Sequence, residues 1–266
     1  MRPTVVLATA IAALACGRPV QTAASGTPTP VPTPDPRITS ADQLLQAMHG
    51  RYAGKWYLTL AFAQKSTYFR PDGSPSRVET WYEAAAIPGR LRIDLGEPSR
   101  GNGVLYRSDS VYSIQNGRVA TRQKGRNVLT ILAFDVYAQP PARTFAQLRE
   151  ERINMNVLRY DTLYGQPMFV VGAGPGDTTS NQFWVEAERL LFVRLIQSSA
   201  GSPVRDTRFQ KFVAHGGGWV AEEVRFIVGG RPYLNQEYTD VRANVTFDAS
   251  LFVPEKWMAT PHWYKQ

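Results

Sequence analysis

The chain of 266 residues contains a single cysteine, Cys16. A lone thiol has no partner within the chain. The fold therefore gains nothing from disulfides, and no cysteine cluster is available for a metal. Histidine is almost as scarce. His49, His215 and His262 lie far apart and match no metal-ligand spacing. Long apolar runs are missing too. The stretch Val5 to Ala15 falls short of the ~20 apolar residues that a membrane-spanning helix needs. No G-x-S-x-G occurs, so "HGGGW" at 215 lacks the nucleophile that an esterase oxyanion loop serves, and it reads as a glycine-rich turn. "GAGPGD" at 172 is broken by Pro175 and leads into another strand, without the helix N-terminus that a dinucleotide needs. Glu222 and Glu223, adjacent on one strand, point to opposite faces and cannot act as an acid/base pair. These absences argue against an enzyme and against any cofactor or metal.

The N-terminus carries a definite signal. "MRPTVVLATAIAALA" has one charge, Arg2, then a short apolar core ending in small residues, as in an export signal over 1–15. Ala13-Leu14-Ala15 followed by Cys16 and Gly17 resembles a bacterial lipobox, although Ala13 stands where leucine is usual. Lipidation at Cys16 would account for the isolated thiol; the alternative is a plain secreted protein. "TPTPVPTPDP", 27 to 36, has proline at every second position, favours polyproline II and cannot form a core. Residues 16–37 thus read as a lipidated cysteine and tether, and 38–266 as one domain. The expected place is the cell envelope, on the periplasmic face, as an outer-membrane lipoprotein. The net charge of +8 favours anionic surfaces, while an exported chain is no candidate for nucleic acid. Arg118, Arg122, Lys124 and Arg126 cluster along one strand and its end, which reads as a solvated outer face.

Along the domain the hydrophobic period changes. Ser40-Ala-Asp-Gln43 has the capping-box pattern and predicts a helix over 40–52. Alternating segments follow: "KWYLTLAFA", "RVETWYEAAA", "RLRIDL", "GVLYR" and "SVYSIQ". The last leads to Asn116-Gly117, the strongest short hairpin signal. "RLRIDL" sets Leu91, Ile93 and Leu95 against Arg90, Arg92 and Asp94, a half-buried strand with one wet face. The segment 128 to 137 is nearly all apolar and predicts a helix capped by Asn127 and stopped by Pro140-Pro141. Thr144-x-x-Gln147 predicts a second helix over 144–152. Strands with tight turns then continue to about residue 248. The pattern predicts a mainly β fold with a few helices, a curved antiparallel meander or unclosed β-barrel with a helical lid.

Such a concavity must be filled. Trp56, Leu58, Leu60 and Phe62 share one strand face, as do Leu91, Ile93 and Leu95. Both rows, with Phe183 and Val185, are expected to face the interior and line an apolar cavity. In the segment 128 to 137, Leu129, Leu132 and Val136 fall at helical spacing and would point into that cavity as a lid. Ile131 and Phe134 would then meet the rim or a membrane.

Two stretches carry a family resemblance: "QFWVEAERLLFVRLI" (182 to 196) and "NQEYTDVRANVTFDASLFVPE" (235 to 255). The first resembles a strand-turn-strand with an acidic residue before the turn and an aliphatic-Arg pair after it. The second resembles a last strand closed by an F-x-P element, Phe252-Val253-Pro254. Together with the element order, they resemble the LolA/LolB superfamily of lipoprotein carriers, the related mycobacterial-type lipid-carrying lipoproteins and the sensor domain of RseB-like regulators. The resemblance implies an unclosed barrel that holds the acyl chains of lipids or lipoproteins. The lipobox fits an anchored member better than the soluble carrier. A sensing or protein-interaction module on the same fold is the alternative.

Overall fold

The structure, a computed structural model, describes residues 34–265. The signal segment 1–15, Cys16 and the proline run as far as residue 33 lie outside the described residues.

The chain enters through α1, Ala41–Tyr52. Ser40 caps it, its hydroxyl accepting from the Gln43 amide at 3.2 Å. The Gln43 side chain reaches back one residue further than a capping box requires, accepting from the Thr39 amide at 2.8 Å. Ala41, Leu44, Leu45, Met48 and Tyr52 form the buried stripe.

Six strands follow as a meander: β1 (Thr59–Phe69), β2 (Pro75–Ala86), β3 (Arg90–Leu95), β4 (Gly103–Arg107), β5 (Ser110–Gln115) and β6 (Arg118–Lys124). Asn116 and Gly117 both take positive φ between β5 and β6, as a two-residue hairpin of that sequence should. Seven more strands close the chain: β7 (Leu158–Leu163), β8 (Gln166–Val171), β9 (Gln182–Glu186), β10 (Leu191–Gln197), β11 (Arg205–His215), β12 (Gly218–Val228) and β13 (Arg231–Ala243). All thirteen belong to one antiparallel sheet, ordered β6-β5-β4-β3-β2-β1-β13-β12-β11-β10-β9-β8-β7. The two meanders join where β1 pairs with β13. The edges, β6 and β7, do not pair, so the sheet is unclosed. Every residue of β6 is exposed, and Arg118, Arg122 and Lys124 on that edge disfavour pairing with another chain.

The crossover between the two edges holds the remaining helices: α2 (Val128–Ala133), a 3-10 turn at Asp135–Tyr137, and α3 (Pro141–Glu150). Two expectations change here. The segment 128–137 is not one helix; it breaks at Phe134 (φ −131°, ψ −59°). The buried Asp135 that follows turns aside to accept the Gly89 amide at 3.0 Å. The next helix starts at 141, not 144, because Pro141 suits a first helical position. Thr144 and Gln147 do not cap it. Both side chains point inward and accept from the Gln139 side-chain amide at 2.8 Å.

The two faces of the sheet have different covers. The inner face carries Leu60, Phe62, Leu91, Phe169, Phe183, Val185 and Leu195, in one core with α1, α2 and α3. The outer face near β1–β4 presents small residues, Ala61, Ala84 and Ala86. On them lies the C-terminal segment, three short 3-10 turns at Ala249–Phe252, Pro254–Lys256 and Trp263–Lys265. It brings Leu251, Phe252, Trp257 and Trp263. The expectation of a wet face on β3 is thereby overturned. Arg92 and Asp94 are 2% and 0% exposed, paired beneath this cover.

The glycine-rich turn at 215–218 also has a packing role. A Cβ on Gly217 (φ +86°) would stand 2.1 Å from the Lys55 carbonyl oxygen, so the hairpin can close on the loop before β1 only with glycine there.

Candidate functional site

Between α2 and the inner faces of β1–β4 and β11–β13 lies a cavity of about 500 Å³. The register explains its walls. Opposed residues of an antiparallel pair share a face, and the pairings Glu83↔Ile93, Ala85↔Leu91 and Leu91↔Tyr106 carry one row across β2, β3 and β4. On the other flank Thr207↔Phe226, Phe209↔Val224, Val224↔Gln236 and Phe226↔Leu234 do the same across β11, β12 and β13. α2 closes the top with Val128, Leu129, Thr130, Ala133 and Phe134. Asn127 fixes its start by accepting from the amides of Leu129 and Thr130 at 3.0 and 3.4 Å. Arg126, Glu151 and Arg205 also border the cavity. Arg126 is tied to Asp109 at 2.5 Å and to Glu150 at 2.7 Å, and these carboxylates hold it firmly charged.

The lining is apolar with one polar stripe. Glu83 is 7% exposed and accepts from the side-chain amide of Gln64. Burial pushes its carboxyl up to about 8, partly offset by that hydrogen bond. Gln64 itself is fully buried, and its Oε1 has no hydrogen-bond partner. Burial also raises the Tyr238 and Tyr106 phenols, and the charge of Glu83 adds to both. Among the described residues no cluster of three or more His, Cys, Asp or Glu could hold a metal. No helix among them is long and apolar enough to cross a membrane.

The structure separates the residues expected to act together. Leu91 and Ile93 line the cavity. Phe62 lies just behind it, stacked on the cavity residue Tyr238 with ring centroids 4.3 Å apart. Leu60 is fully buried in the core. Trp56 is also core. It precedes β1 and stacks on Tyr137 at 3.9 Å, so it does not continue the strand row. Leu58 departs most: it too precedes β1, and it is 58% exposed. Leu95 is half-buried at the end of β3, outside the cavity lining. Phe183 and Val185 are fully buried in the same core and do not reach the cavity. On the lid, Leu129 lines the cavity, but Leu132 and Val136 are fully buried away from it. The break at Phe134 changes the phase of the segment. Phe134 faces the cavity and Ile131 is buried, the reverse of the sequence expectation. Glu83, Trp81, Tyr106 and Tyr238 were missed. They belong to four aromatic-rich or charged strands whose inner face is fixed only by pairing.

No protein-family model matches the chain, and no curated protein sequence matches it. Solved structures do. A DUF1329 family protein from Desulfovibrio piger superposes with a TM-score of 0.54 at 12% identity, over 80% of this chain and 95% of that one. A LolA superfamily protein from Nitrosomonas europaea gives 0.48 at 12% identity, over 80% and 97%. A domain assigned to outer membrane lipoprotein sorting from Vibrio parahaemolyticus gives 0.45 at 10% identity, over 81% and 97%. At such identities the likeness is one of fold, and with its open antiparallel sheet and helices in the concavity the chain has a LolA-like fold.

Proposed function

We propose that this is an exported lipoprotein, anchored through Cys16 at the periplasmic face of the envelope, that takes acyl chains of lipids or lipoproteins into the cavity under α2 and carries or receives them. The observation that supports the reading is the cavity itself. Its volume of about 500 Å³ falls within the range of small-molecule sites, and its walls are mostly apolar side chains. A space of that size lined by Leu91, Ile93, Val224, Phe226 and Leu234 has little to offer water. The LolA-like fold and the lipobox-like sequence before Cys16 agree with it. The protein acts by binding, not by catalysis.

Native mass spectrometry of the mature protein, purified from the membranes of its own host, tests the reading. The expected result is an added mass that organic extraction releases as lipid. A protein that carries only its own mass, and takes up no fluorescent acyl probe afterwards, would overturn it.

A further inference from the structure

We propose that the ligand of this cavity is an amphiphile with a protonated amine, its cation held between Glu83 and Gln64 and faced by the rings of Trp81, Tyr106 and Tyr238. This rests on the proposed function and adds the chemical class of the ligand.

The other buried carboxylates show what is unusual about Glu83. Asp94 has Arg92 at 2.8 Å, Asp206 has Arg194 at 2.8 Å, Glu186 has Arg189 at 2.9 Å and Glu223 has Arg225 at 2.5 Å. Asp135 has a backbone amide. Glu83 has only a neutral side chain, that of Gln64, and among the described residues no lysine, arginine or histidine bridges to it. A buried carboxylate without a cation is costly. The neighbouring Gln64 Oε1 adds a buried acceptor that lacks a donor. Two acceptors open to one cavity call for a group that donates. An alkylammonium has three N–H donors and the missing charge, on a chain that suits the apolar walls. Aromatic rings add attraction for a cation in a site removed from water.

The charged and titratable groups facing Glu83 leave this arrangement open. β4 and β13 bring the Tyr106 and Tyr238 phenols, and β1 brings neutral Gln64. α2 faces the cavity without a charged side chain. Arg126, Glu151 and Arg205 stand at the border, with Arg126 already neutralised by Asp109 and Glu150. Burial keeps Glu83 protonated up to about pH 8, so an ammonium must compete with a proton there. Like lysine, it keeps its own charge to about pH 10.

The test is displacement of a neutral fluorescent apolar dye from the purified protein by dodecylamine, dodecan-1-ol and dodecanoic acid at pH 6 to 8.5. Dodecylamine should bind at least about tenfold tighter than dodecan-1-ol at pH 8. Its affinity should rise with pH by up to about tenfold per unit below 8, as one proton is displaced. Dodecan-1-ol should show no such rise. Glu83→Gln, close in shape and neutral, should abolish the preference and the pH dependence of the amine while dodecan-1-ol still binds. Equal binding of amine and alcohol, or a preference that survives in Glu83→Gln, overturns the amine site and leaves the lipid cavity standing. Displacement by none of the three overturns both.

Discussion

Arg92 and Asp94, two residues apart on one strand, form a two-pronged ion pair with no water beside it: Nε and Nη2 of Arg92 donate to the carboxylate at 2.8 and 2.9 Å. Trp257 roofs the pair, its ring centroid 3.7 Å from the guanidinium carbon, and His262 Nε2 stands 3.4 Å from Asp94. Removing one partner strands a buried charge. Arg92→Leu should therefore cost about 3–5 kcal/mol, and Arg92→Leu with Asp94→Leu should recover much of it. Urea denaturation of both variants measures this. A loss below about 1 kcal/mol for Arg92→Leu would mean that the C-terminal cover opens readily to water.

Glu83 ties stability to pH. Its carboxyl binds a proton up to about pH 8 in the folded protein, against an ordinary value of 4.5. The folded state thus holds more protons than the unfolded one between those values, so stability falls as pH rises through them. Asp135, raised to about 6, acts with the same sign below pH 6. Between pH 6 and 8 the loss should approach about 1.4 kcal/mol per unit, and Glu83→Gln should flatten it. Denaturation midpoints at pH 6, 7 and 8 decide the matter; equal slopes in both proteins would show that Glu83 is ionised throughout.

α2 offers two leucines with opposite expected effects. Leu132 is fully buried in the core, and Leu132→Asp should destabilise by more than the ~2–5 kcal/mol of a large-to-small core change, because it also buries a charge. Leu129 is half-buried and faces the cavity. Leu129→Asp should leave the thermal midpoint within a few degrees of the parent yet reduce uptake of a fluorescent acyl probe severalfold. Normal uptake by a folded Leu129→Asp protein would remove α2 from the proposed site.

The anchor is tested by Cys16→Ser. The variant should move to the soluble fraction with its domain folded, and the mature wild-type N-terminus should carry the mass of acyl chains. Undiminished membrane association of the variant would refute lipidation at that position.

Much of the fold was legible because it depends on local rules. Ser40 and Gln43 mark a helix start by satisfying its first amides, and Asn116-Gly117 marks a hairpin because both residues tolerate positive φ. The alternation of Leu91, Ile93 and Leu95 against Arg90, Arg92 and Asp94 identified a strand and its two faces. Alternation cannot say what covers the second face. That depended on a segment more than 150 residues later, whose Trp257 settles over Arg92 because alanines at 61, 84 and 86 leave room. The same limit applied to the site. Leu58 and Trp56 keep a period of two with Leu60 and Phe62, but β1 begins only at Thr59, so the row is interrupted where the sequence shows none. The phase of 128–137 was lost where Asp135 left the helix to reach Gly89, a contact 46 residues away. Glu83 was invisible as a site residue for the same reason: a carboxylate on a strand becomes unusual only when pairing and α2 together remove it from water and bring no cation to meet it.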